Sequence, residues 1–292
     1  MSRVGDTTPA SRSGSAAGAV SAPPHNLLLR VLSAVVMAPL ALLVAWLGDW
    51  PFALFWGLAA IAVLWEWTTL VVGHRYRLML SSCASAIAVA ALVAWRGREA
   101  TAILLIGLGA LAATIFAPRE RRFWITGGIA YAGTLMLAPL LLRTDQTYGF
   151  AALMLLFAIV WSTDIFAYFA GRAIGGPKLA PAISPKKTWS GAIAGALGAT
   201  LVAALVAGLL GSLDIGTIAI VALLLSVIAQ LGDLLESWVK RHFGAKDSSH
   251  LIPGHGGVMD RLDGFWAAAL VGCLVGLLRG GFDNAARGLL VW

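Results

Sequence analysis

Along most of this chain apolar residues do not alternate with polar ones. They run on for about 20 residues at a time, the length a helix needs to cross the hydrocarbon core of a bilayer. Such segments cover roughly 27–48, 51–73, 78–95, 100–117, 123–142, 148–171, 189–211, 214–236 and 263–279. About nine membrane helices are therefore expected, the fourth short and the ninth interrupted by glycine. The connections between the first six are short, as in a compact bundle. Two later connections, 172–188 and 237–262, are longer and polar, the kind of segment in which function concentrates. Residues 1–26 are rich in Ser, Ala, Gly and Pro and are expected to form a disordered tail. They hold no apolar stretch of the kind found in a cleaved signal peptide. The expected organisation is this tail, a first set of membrane helices over 27–147, and a second membrane segment over 148–292 that carries both polar loops.

Composition agrees with the pattern. Of the 292 residues 59% are hydrophobic and 12% charged, and the mean hydropathy is +0.85. A soluble fold has no place for so much apolar surface, and disorder is excluded for the bulk of the chain. The expected fold class is an all-α, polytopic membrane bundle. Cys83 and Cys273 sit in apolar runs and suggest neither a disulfide framework nor a thiolate metal site. The net charge of +7 could point to nucleic acid, but in a membrane protein such an excess marks cytoplasmic loops facing anionic headgroups. With the N-terminus placed in the cytoplasm, sixteen of the 21 Lys and Arg residues fall on that side and five on the other. The bias orients the chain with both long loops cytoplasmic, in a cell inner (cytoplasmic) membrane crossed many times.

Ionisable residues inside spans are costly and are functional candidates by default. Glu66 lies between Trp65 and Trp67 in the second span; with no motif around it, it is read as sitting at an interface or pairing with an arginine. Asp164 lies late in the sixth span, and Asp233 and Glu236 late in the eighth. Asp164, Tyr168 and Arg172 share one helix face by spacing, as do Asp233, Glu236 and Lys240. An acid followed by a base on two helices ending on one side suits a metal and phosphates.

The first loop supplies Arg172, Lys178, Ser184, Lys186, Lys187 and Thr188 just before a helix whose N-terminal amides favour anions. The second interleaves Asp247, Asp260 and Asp263 with Lys240, Arg241, Lys246 and Arg261. Hard oxygen ligands suit Mg²⁺, which keeps waters and bridges to substrate phosphates. Zinc is disfavoured: His242, His250 and His255 lack a zinc-protease spacing and a neighbouring cysteine. His255 between its glycines is expected to bond a phosphate or the loop backbone.

The run Ser237 to Asp263 resembles the signature of the phosphatidate cytidylyltransferases, the CDP-diacylglycerol synthases. Its fixed positions are met by Ser237, Lys240-Arg241, Lys246-Asp247, His255-Gly256-Gly257, Asp260-Arg261 and Asp263. The likeness extends upstream through Asp164, Tyr168, Gly171-Arg172, Lys178 and Ser184 to Trp189. One departure is Ser190, where the family often has Glu; a helix N-cap role is compatible with serine there.

The resemblance implies that CTP and phosphatidate become CDP-diacylglycerol and pyrophosphate, at a site on the cytoplasmic face, with 148–292 as the catalytic domain. It points to Asp233 and Asp260 as Mg²⁺ ligands, with Asp263 and then Asp164 as further candidates and room for a second cation. Lys240, Arg241, Lys246 and Arg261 would act on the phosphates. Ser184, Lys186, Lys187, Thr188, Arg172, Lys178, Ser237, Asp247, His255, Gly256 and Gly257 would line the substrate pocket. The expected partners are CTP, phosphatidate and membrane lipids, not nucleic acid; a homodimer is left open. The alternatives are a transporter, for which intramembrane acids are also expected, or a CTP-dependent transferase acting on another membrane lipid.

Overall fold

The computed structural model describes residues 25–73, 77–211, 213–252 and 256–292, and the side chains of these except 25–34, 77, 78 and 210. The 1–26 tail and His255 thus fall essentially outside the described residues. Among the described residues nine helices of 18 residues or more follow in order: α1 His25–Leu47, α2 Asp49–Val72, α3 Arg77–Trp95, α4 Glu99–Phe116, α5 Arg122–Thr144, α6 Gly149–Ile174, α7 Trp189–Leu210, α8 Ile215–His242 and α9 Met259–Gly280. A short helix, α10 Ala285–Leu290, closes the chain. Among the described residues seven of these helices are long and apolar enough to cross a membrane; α1 and α3 add the shorter apolar stretches Val35–Leu47 and Met79–Trp95.

Side-chain placement in α7 identifies the solvent around the bundle. Its large residues Ile193, Leu197, Leu201 and Leu205 point outward, each more than half exposed, while Ala199, Ala203 and Ala207 are fully buried. In water this arrangement would waste the hydrophobic effect. In lipid the tails are as apolar as leucine, and small residues inside let helices pack closely. A Cβ on Gly195 would come 2.8 Å from the Thr163 carbonyl of α6, so α6 and α7 touch backbone to backbone. The same device joins α8 to α9: a Cβ on Gly232 would come 2.7 Å from the Asp263 carbonyl. That contact carries Asp233 to the side of α9 on which Asp263 stands.

Three boundaries differ from the sequence expectation, and each moves chemistry onto a regular element. Helix α8 continues to His242, so Ser237 and Arg241 are helical rather than looped, and Lys240 stands on the helix that its spacing from Asp233 and Glu236 implied. Helix α9 begins at Met259, which puts Asp260 and Asp263 in its first two turns. The first polar connection is not a plain loop. It folds as an antiparallel hairpin, β1 Lys178–Ala180 with β2 Ser184–Thr188, pairing Lys178 with Thr188 and Ala180 with Ser184. The bundle is otherwise helical. Contacts also tie 27–147 to 148–292: the Trp266 indole donates to Thr134 Oγ1 at 2.9 Å, and the Tyr131 and Trp266 rings stack 4.1 Å apart.

Candidate active site

The hairpin sits between the end of α6 and the start of α7. Thr188, not Ser190, is the N-cap of α7, accepting from the Gly191 amide at 3.2 Å. Ser190 instead donates to the Gly175 carbonyl and shares a hydrogen bond with Thr188 at 3.0 Å. These bonds fix the strand β2 and with it Lys186 and Lys187. A cavity of about 480 Å³ opens between the hairpin, α6 and α7. Asp164, Tyr168, Arg172, Lys178, Lys186 and Lys187 line it, as does the capped N-terminus of α7 through Thr188 and Gly191. The shared face of Asp164, Tyr168 and Arg172 is present: Arg172 donates to the Tyr168 hydroxyl at 3.3 Å. Ser184 takes part in the strand pairing and is not among the lining residues.

Lys187 reaches across the cavity wall to α8, where it pairs with Asp233. Asp233 also accepts from Ser237 one turn later, at 3.4 Å. Asp164, Asp233 and Asp263 lie close enough to repel one another, with Lys187 acting on both Asp164 and Asp263 and Arg261 on Asp164. Three acids from α6, α8 and α9 thus act on one another, and Asp164 is the one of them that lines the cavity. Among the described residues no three His, Cys, Asp or Glu side chains converge tightly enough to hold a metal alone. Two carboxylates completed by substrate phosphates and waters are what Mg²⁺ ordinarily takes, and Asp233 with Asp263 fits that pattern.

Asp260, expected as a metal ligand beside Asp233, belongs to a second, drier cluster. Its Oδ1 accepts from Lys240 Nζ at 2.5 Å, and its carboxylate accepts from the Ser248 amide (3.1 Å), Ser248 Oγ (3.0 Å) and the Gly257 amide (2.8 Å). With its lone pairs committed to donors, Asp260 staples the loop to α8 and α9. Lys240 is likewise not a cavity cation. It is 8% exposed, and its Nζ lies 2.6 Å from Glu236 Oε2 as well. Arg241 straps the two polar segments together, donating to the Ile183 carbonyl at 3.3 Å and the Ala245 carbonyl at 2.8 Å. Lys246 and Asp247 are exposed on the second loop, away from the first cavity's lining. Gly256 has φ +86°, a conformation that favours glycine.

Glu66, noticed as a charge inside a span but left out of the expected site, is 0% exposed in α2 and accepts four hydrogen bonds from the second polar segment. Its one sequence signal was a charge in the middle of an apolar run, which must find partners somewhere.

Arg261 and Asp164 also stand at the end of a smaller groove of about 210 Å³ between α1, α2, α6 and α9, walled by Met37, Phe55, Trp56, Trp161 and Phe265. Asp164 is common to both cavities.

Residues 28–278 match the family model described as the cytidylyltransferase family. A phosphatidate cytidylyltransferase of Brucella abortus (biovar 1, strain 9-941) is 44% identical over 265 residues, covering 87% of this chain and 94% of that protein. Proteins of the same name from Pseudomonas aeruginosa and Haemophilus influenzae are 37% identical over 254 residues and 34% over 275, each covering 82% of this chain, and 93% and 94% of those proteins respectively.

Proposed function

The chain belongs to the cytidylyltransferase family, and we propose that it is a multi-pass membrane phosphatidate cytidylyltransferase that makes CDP-diacylglycerol and pyrophosphate from CTP and phosphatidate. The observation that carries this reading is the cavity where four cations, Arg172, Lys178, Lys186 and Lys187, stand beside Asp164 of α6, with Lys187 reaching on to Asp233 of α8. A phosphatidate oxygen is already anionic, so the reaction needs no strong base. A bond forms from that oxygen to the α-phosphorus of CTP, and the bond from the α-phosphorus to the pyrophosphate oxygen breaks. The protein's task is to bring two polyanions together in line and offset their repulsion.

Arg172, Lys178 and Lys186 would hold the triphosphate, helped by the N-terminus of α7. Lys187 would hold Asp233 in place and lend its charge to the same phosphates. Asp233 and Asp263 would hold Mg²⁺, which when bound supplies charge neutralisation at the attacking and leaving oxygens; Asp164 is the candidate for a second cation. The groove between α1, α2, α6 and α9 would take the acyl end of phosphatidate, with Arg261 at the level of its phosphate. The site would face the cytoplasm in the cell inner membrane, as the asymmetry of Lys and Arg supports.

The test is direct. Purified protein, labelled CTP, phosphatidate and Mg²⁺ should yield a labelled nucleotide in the lipid phase. No transfer of label, with an active relative as control, refutes the reading.

A further inference from the structure

The second polar segment carries much of the resemblance to the family, yet the group that holds it comes from 182 to 193 residues earlier in the chain. Glu66 Oε1 accepts from Ser249 Oγ at 2.7 Å and from the Val258 amide at 2.8 Å. Its Oε2 accepts from Ser248 Oγ at 3.1 Å and from the Met259 amide at 2.7 Å. Each oxygen thus faces one hydroxyl and one backbone N–H, with the single Ser248 hydroxyl proton shared between Glu66 Oε2 and Asp260 Oδ2. Two of the donors belong to the start of α9, where a negative charge also meets the helix dipole favourably. The fit is tight enough to dictate a neighbouring residue. A Cβ on Gly257 would collide with Ser248 Oγ and stand 2.5 Å and 2.7 Å from the two Glu66 oxygens.

We propose that Glu66 is a positioning residue of the transferase site. It clamps residues 248–249 to the first turn of α9, and so sets where Asp260 holds the loop and where Asp263 faces Asp233. The inference rests on the function proposed above. Glu66 touches no cavity-lining residue through these bonds and acts only through the segment it holds.

The substitution that reads this is Glu66→Gln. Its amide nitrogen would face a backbone N–H with two donors and no acceptor between them, so one clamp bond is lost and one contact becomes repulsive. In the full-length enzyme, assayed with CTP, phosphatidate and Mg²⁺, kcat should fall about 100-fold, the effect of misplacing a reacting group by roughly an ångström. The KM for CTP should stay within about threefold of wild type, since a lost transition-state arrangement lowers kcat and kcat/KM together. A purely structural contact would leave kcat per folded molecule unchanged. Should Glu66→Gln fail to fold, Ser249→Ala decides: removing one of the four bonds should lower kcat about fivefold, again without raising KM. A folded variant of either kind with wild-type kcat, or one that raises KM alone, overturns the proposal. A wild-type enzyme that labels no lipid overturns the proposed function instead.

Discussion

Replacing Lys240 with methionine removes the cation between two buried carboxylates while keeping the aliphatic stem. Lys240 Nζ lies 2.6 Å from Glu236 and 2.5 Å from Asp260, whose side chains are 0% and 6% exposed. At an effective dielectric of about 20 each contact is worth roughly 6 kcal/mol of gross attraction, most of it offset by the desolvation of three charges. The substitution does not return that desolvation. It leaves Glu236 with no cation and Asp260 with its loop donors alone, in a dry cluster, at a cost of about 3–5 kcal/mol. Asp260 is also what holds Ser248 and Gly257, so the cost falls on the opening of the loop between α8 and α9. At about 1.4 kcal/mol per decade, 4 kcal/mol raises the open population on the order of 10³-fold. Proteolysis at the loop, where Leu251 is 51% exposed, reports that population while reclosing outpaces cleavage. Adding Glu236→Gln to Lys240→Met removes one of the stranded charges. Glu236 accepts no well-formed hydrogen bond among the described residues, so the double variant should regain about 2 kcal/mol, with protection recovering at least tenfold. Unchanged proteolysis in Lys240→Met, or a double variant as open as the single one, refutes the counter-ion role.

Asp233→Asn should lower label transfer to lipid by at least about 100-fold with the bundle intact; near-normal turnover removes Asp233 from the metal site. Asp260→Asn and Asp263→Asn should separate: the first raises loop proteolysis along with its loss of activity, whereas the second loses activity and Mg²⁺ dependence with the loop still protected. Gly257→Ala should lower kcat about 100-fold, because its Cβ displaces Ser248 and Glu66; a wild-type rate would mean that the contact relaxes freely. A cysteine at Leu251, exposed where the native Cys83 and Cys273 are buried, should react only with reagents that reach the cytoplasm. Ser249, the more obvious reporter position, is committed to Glu66.

The bundle was legible because about 20 apolar residues in a row have few alternatives in water or in lipid. The face shared by Asp164, Tyr168 and Arg172 was legible for a similar reason, since helical spacing is local. The hairpin was not. Ser184-Pro185-Lys186-Lys187-Thr188 has no apolar alternation, and its pairing depends on α6 and α7 being drawn together through Gly195. The spacing of Asp233, Glu236 and Lys240 put Lys240 on a helix face, but the helical placement of Ser237 and Arg241 was missed because polarity was taken as the end of the span, whereas α8 runs on past the apolar stretch to His242. Glu66 illustrates the larger limit. A buried acid announces that partners exist, but its own neighbours in sequence say nothing about which ones.

The signature treats Asp260 and Asp263 alike, one helical turn apart at the start of α9, yet their surroundings divide them. A helix N-terminus offers unpaired amides and a positive end, and acids near it are stabilised whether or not they do chemistry. Glu66 and Asp260 take those amides, from Val258, Met259 and Gly257. Asp263 lies one turn further in, beyond their reach, and accepts from the adjacent Gly264 amide at 2.7 Å. It therefore remains turned to Asp233 and Asp164 across the close approach at Gly232. A carboxylate satisfied by fixed donors has little to gain from a cation, while one facing two other carboxylates has much to gain. Under the proposed function, the acids that build the loop and the acids that would serve the phosphates are different residues, and the dense charge of the motif would divide into a scaffold and a site.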